Sequence, residues 1–263
     1  MYSEQTIFII SHIIVSEALE ANIEAVDTHM NGMKKIIDAV GGMDMLEHGT
    51  LAMLYRSKNR FTESSSLGTR FFTASWSRDI QPTFKSIISS YQQLISYYES
   101  FANVDVEPMS VENDCLLFLG YRLISLPYEV SLTPFEETLR LSIMTYNSVR
   151  IWALYGIPCL ERLVDMLRIS LFTSLSALQS TAPDLLFWIF FVGSLASKSM
   201  KHHSWFVAHL TDVADQLSLQ KWDRAVGLLE KFFFVCRPSD EPAKDLWQST
   251  FRPDLVIVQE NRK

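Results

Sequence analysis

Apolar residues recur along most of this chain at intervals of three and four. Val26, Met30, Met33, Ile37 and Val40 fall on one face of a helix, and Gly41-Gly42 supplies the left-handed geometry that closes it. Thr133-Pro134-Phe135-Glu136 is a helix start, with Thr133 as N-cap, Pro134 at the first helical position and Glu136 completing a capping box. Phe135, Leu139, Ile143, Tyr146, Val149 and Ala153 continue that helix. Pro158 and Pro183 introduce two more, over Leu160 to Leu178 and Asp184 to Ser199. Trp205, Val207, Leu210, Val213 and Leu217 mark another, and Trp222, Val226, Leu229, Phe233 and Cys236 a last one. Strand signals are confined to Leu255 to Val258, and Arg56 to Arg78 is weakly periodic and reads as a long connection. The pattern predicts an all-α, multi-helix bundle of antiparallel helix pairs, about ten helices in all. It suggests one helical domain over residues 1–250 and a tail over 251–263.

Composition agrees with a packed chain. Of 263 residues, 48% are hydrophobic and 20% charged, with nine Gly and nine Pro, which argues against disorder. The three cysteines, Cys115, Cys159 and Cys236, form no Cys-x-x-Cys pair and no disulfide framework, so a reducing compartment and a core-filling role are expected. The longest apolar runs are too short for a membrane-spanning helix, and the start of the sequence lacks the positive flank of a signal peptide.

The net charge of −7 opposes a nucleic-acid interface over the whole surface. The charge is uneven, with −6 over residues 1–50 and +4 over 51–90. Within that basic stretch Arg56, Lys58, Arg60, Arg70, Arg78 and Lys85 interleave with Phe61, Phe71, Phe72 and Trp76, a mixture able to grip single strands. The simpler reading docks the aromatics on the core and leaves the charges in water.

No catalytic constellation emerges. The sequence has no adjacent Asp pair of the kind that holds magnesium for prenyl transfer, no phosphate-cradling glycine loop and no nucleophile elbow. His202, His203, His209 and Asp212 are spaced too loosely for a zinc site, and read as a helix start with solvent-facing histidines. Glu17, Glu20 and Glu24 read as a solvated face, and His29 as a partly buried core residue. The expectation is a protein without catalytic residues, metal ligands, DNA-binding residues or cofactor.

Two blocks carry a family resemblance. Asn22 to Leu46, with His29, Gly32, Met33 and the closing Gly41-Gly42-Met43, resembles one conserved block of the fungal-specific transcription factor domain. That domain is the helical regulatory region of fungal zinc binuclear cluster regulators. Leu185-Leu-Phe-Trp-Ile-Phe-Phe-Val-Gly193, then Ser204-Trp-Phe-Val-Ala208, Trp222, Leu228-Leu229 and Phe232-Phe233 resemble its C-terminal block. The resemblance runs from about residue 5 to residue 236. Its residues, Gly41, Gly42, Trp188, Gly193, Ser204, Trp205, Phe206 and Trp222, are packing residues and imply a structural role. The six-cysteine zinc cluster of the family is not in this sequence, nor are the helices that usually precede the block at Ile7. The resemblance therefore implies a nuclear, transcription-regulatory helical domain without its own DNA reader. Such a domain works through protein partners of the transcription machinery, self-association or a small-molecule effector. It also implies an exposed apolar face at Ile7, Ile10 and Ile14. A helical small-molecule-binding protein or metabolic enzyme that reuses the fold is the alternative, since seventeen Phe, six Trp and nine Tyr are enough to line an apolar pocket. A sequence representing part of a longer regulator is a third reading.

Overall fold

A computed structural model of the chain describes residues 10, 13, 17, 23–39, 41, 67–101, 110–152, 154–234 and 241–251. These residues are helical throughout their regular parts and contain no strand, giving the all-α, multi-helix architecture that the periodicity predicts. Ten α-helices lie among them: α1 (Ile23–Ala39), α2 (Arg70–Thr73), α3 (Pro82–Phe101), α4 (Ser110–Glu129), α5 (Pro134–Tyr146), α6 (Pro158–Thr181), α7 (Pro183–Ala196), α8 (His203–Gln216), α9 (Trp222–Leu229) and α10 (Glu241–Phe251). A 3-10 turn (Ser75–Asp79) follows α2, and a π-helical turn (Asn147–Ile151) follows α5.

The chain divides into two compact units, Met1–Ser65 with Gln81–Ser131, and Ser66–Ile80 with Leu132–Lys263. The sequence suggests a single domain because hydrophobic periodicity records which helix faces are buried, not which faces share a core.

In the first unit, Met33 and Ile37 of α1 pack with Phe118 and Tyr121 of α4, and Ile10, Met30 and Ile36 lie against them. The apolar face expected to be exposed at Ile10 is thus covered there, while Ile7 and Ile14 lie outside the described residues. Gly41 closes α1 with φ +105°, where glycine has no side chain to strain, and its N–H bonds Asp38 O at 3.3 Å. Tyr121 is almost fully buried near the Glu129 and Asp38 carboxylates, and burial first, then those charges, pushes its phenol up to about 12.

The second unit is organised around α7, which contacts α5, α6, α8, α9 and α10. Every residue from Leu185 to Ala196 is buried, which explains why this helix reads as an unbroken apolar run rather than an amphipathic stripe. Helix α5 begins with the predicted capping box: Glu136 N donates to Thr133 Oγ1 at 3.2 Å, and Thr133 N donates to Glu136 Oε2 at 2.9 Å. Where α5 meets α6, Thr138 Oγ1 lies 2.7 Å from Ser170 Oγ and 2.8 Å from Ser174 Oγ, so the small hydroxyls satisfy one another at a close helix contact. Helix α6 turns Leu160, Val164, Leu167, Leu171, Ser174 and Leu178 inward, a heptad-like stripe that matches its predicted extent.

Three expectations need correction. The helix predicted through Ala153 leaves α geometry at Tyr146 and widens into the π turn, where Trp152 N bonds Asn147 O at 3.0 Å. The helix predicted through Cys236 ends at Leu229; beyond it the chain turns, and Phe232, Phe233 and Phe234 are all fully buried. The core takes these three consecutive aromatics from a turn rather than from a helix. The connection predicted over Arg56 to Arg78 contains α2 and the 3-10 turn. Cys236, Ala153, Gly42 and Leu255 to Val258 lie outside the described residues.

Candidate functional site

The residues singled out by the resemblance sit on different sides of α7. Trp188 is fully buried and meets Phe71 (ring centroids 5.7 Å apart), Tyr146 (6.2 Å) and Phe232 (5.8 Å, stacked). Gly193 faces α8. A Cβ built there would stand 2.5 Å from two ring carbons of the fully buried Phe206, so glycine is what lets α8 approach this closely. Trp205 is half-buried against Phe190 (5.8 Å) and His209 (4.3 Å), and Ser204 is exposed. Trp222 is also half-buried, beside Phe191 (6.2 Å) and Trp247 (5.6 Å). Gly41 belongs to the first unit. The aromatic members form a shell of three separate ring groups around α7: Trp188 with Phe71, Tyr146 and Phe232, Trp205 with Phe190 and His209, and Trp222 with Phe191 and Trp247.

The predicted connection contributes to that shell. Gly68 N donates to Phe232 O and Arg70 N to Lys231 O, both at 3.1 Å, which lays the 67–70 segment against the turn after α9. Phe71 is thereby carried into the core, in ring contact with Trp76, Trp188, Phe232 and Phe233. Arg70 remains at the rim, where its Nε donates to Asp184 Oδ2 at 2.6 Å and its Nη2 donates to the same oxygen. Asp184 stands in the first turn of α7, where the helix dipole also favours its charge. Phe71 and Trp76 are buried and Arg78 is exposed, as the docked-aromatic reading expects, whereas Phe72 is exposed against that reading; Arg56, Lys58, Arg60 and Phe61 lie outside the described residues.

Two groups of polar residues are held within this unit. The Asp165 carboxylate of α6 lies 3.2 Å from His202 Nε2, 3.8 Å from Lys201 Nζ and 3.9 Å from Arg168 Nε. His203 Nδ1 lies 3.3 Å from the buried Ser197 Oγ, and burial pushes its imidazole below the ordinary value. His209 Nδ1 bonds Trp205 O at 2.9 Å. The three histidines are therefore half-buried and engaged rather than solvent-facing, and no group of metal-ligating residues forms among the described residues. Cys159 is a half-buried thiol whose pKa burial raises, so its reactive thiolate form is disfavoured.

At the π turn, Asn147 Oδ1 is buried without a hydrogen-bond partner among the described residues, and so is Trp188 Nε1. Tyr146, which precedes Asn147 in the chain, touches the Trp188 ring. Nothing in the sequence marks this place, because a π turn differs from an α turn by one residue of spacing.

No family model, curated protein or solved structure matches the chain. No helix among the described residues is long and apolar enough to cross a membrane.

Proposed function

We propose that the chain is a non-catalytic helical interaction domain of transcriptional control, acting in the nucleus through contacts with protein partners rather than by reading DNA. The observation that carries this reading is the use made of the resemblance residues. Gly193, Phe206 and Trp188 build the packing around a wholly buried α7. This is the structural role the resemblance assigns to them, and it leaves the outer helix faces to make contacts. The test is to tether the full chain to a heterologous DNA-binding domain upstream of a reporter, and to follow nuclear and chromatin fractions of the untethered chain. A several-fold change in reporter output with a nuclear fraction is expected. An inert tether together with exclusion from the nucleus overturns the reading.

A second reading is favoured by one observation. Trp188 Nε1 is a donor buried among Phe71, Tyr146 and Phe232 without a partner among the described residues, Asn147 Oδ1 is an acceptor buried in the π turn without one, and π turns often occur at functional sites. Such a place suits a small, largely apolar effector with one polar edge. Thermal shift of the full chain against a panel of apolar metabolites tests it: a ligand whose stabilisation is lost in Asn147→Ala supports it, and no shift with any compound counts against it.

A further inference from the structure

We infer that residues 67–80 are a strap that fills, from within the chain, a short-peptide recognition site on the second unit, and that a separate peptide of the same sequence can fill that site in its place. The chain comes to this segment from the first unit and goes back to the first unit at Gln81. Neither flank belongs to the second unit, so the segment's place there rests on non-covalent contacts, as that of a bound peptide does. Its local structure is largely its own. Phe71 N donates to Gly68 O at 3.2 Å, Ala74 N to Arg70 O at 3.3 Å and Ser77 N to Ala74 O at 3.2 Å, and Ser77 Oγ donates to Ala74 O at 2.7 Å. A segment that pairs its own backbone and offers its neighbours a few anchoring side chains has the form of a folded peptide ligand.

The seat reads an arginine and two aromatics. Phe71 is fully buried, with its ring centroid 4.5 Å from that of Phe233 and 5.2 Å from that of Phe232, and it also meets Trp188. One residue earlier, Arg70 Nε and Nη2 both donate to Asp184 Oδ2, a charge-assisted contact that fixes which way the segment lies. The N–H groups of Gly68 and Arg70 bond the Phe232 and Lys231 carbonyls beside it. At the far end Trp76 is buried with its ring 5.8 Å from Phe135. Trp76 Nε1 has no hydrogen-bond partner among the described residues. Release of the strap returns that N–H to water, so the docked state carries a cost that opening removes.

Fluorescence anisotropy of a labelled peptide spanning Leu67–Ile80, titrated with the full chain, tests the inference. In wild type the tethered strap competes at an effective concentration of roughly millimolar order, so the peptide is expected to bind weakly. The full chain carrying Phe71→Ala and Trp76→Ala frees the seat, and is expected to bind the wild-type-sequence peptide about tenfold or more tightly than wild type does. Its melting temperature is expected to rise toward that of wild type as peptide is added. A peptide that itself carries Phe71→Ala and Trp76→Ala is expected not to bind. A folded double variant that ignores the peptide, a wild type that binds it equally well, or equal binding of the doubly substituted peptide overturns the inference. A double variant that does not fold unaided is refolded with excess peptide: recovery of helical circular dichroism supports the inference, and no recovery overturns it.

Discussion

Trp188, Trp205 and Trp222 look alike in the sequence, each an aromatic at helical spacing, yet they differ in burial. Trp188 is completely enclosed, whereas the other two each keep part of the ring in water. Replacing Trp188 with Ala is therefore expected to cost ~3 to 5 kcal/mol, and Trp205→Ala and Trp222→Ala distinctly less, because less area and less cavity are involved. Thermal or urea denaturation of the three variants gives the order directly. At Gly193 a single methyl must displace a buried ring, so Gly193→Ala is expected to destabilise by ~1 to 3 kcal/mol although alanine is the better helix former. His203 adds a pH dependence. Its folded pKa is depressed by burial, so below about 6.5 the unfolded chain takes up a proton that the folded chain resists. The stability this neutral imidazole secures is complete above that value and is lost as pH falls through the window beneath it. Melting temperatures of wild type and His203→Gln between pH 8 and pH 5 are expected to diverge only in the acid part of that range.

Helix ends with a local cap were legible in the sequence, and ends without one were not. The capping box at Thr133 is a local arrangement of four residues, fully written in Thr-Pro-Phe-Glu, and Thr133→Ala is expected to cost ~1 kcal/mol in a melting experiment. Gly41 closes α1 for an equally local reason. The same local signals are weak at Tyr146 and Leu229. No proline or glycine stops α5, and Asn147 and Val149 are buried in the π turn that follows it. Helix α9 ends at Leu229, and Phe232, Phe233 and Phe234 all enter the core from the turn that follows it. Helix α7 shows the opposite limit. Its apolar run is plain in the sequence, but a run without polar positions has no face and does not reveal which neighbours cover it.

For the whole molecule, the all-α architecture was legible because periodicity at three and four residues recurs along nearly the entire chain. The candidate site was legible only as a set of aromatic and glycine positions. Phe71, 117 residues before Trp188 in the numbering, gives no local sign that it will meet that ring.

The sequence alone determined the helical class, the capping of α5, the closing glycine of α1 and the extent of α6, because each depends on residues within a few turns of one another. The tertiary structure decided the division into two units, the recruitment of Phe71 and Trp76 to the core, the engagement of His202, His203 and His209, and the exposure of Met166, Ile169 and Phe172. Those outcomes depend on which surfaces meet, and contact between distant segments is a property of the folded chain that local spacing does not encode.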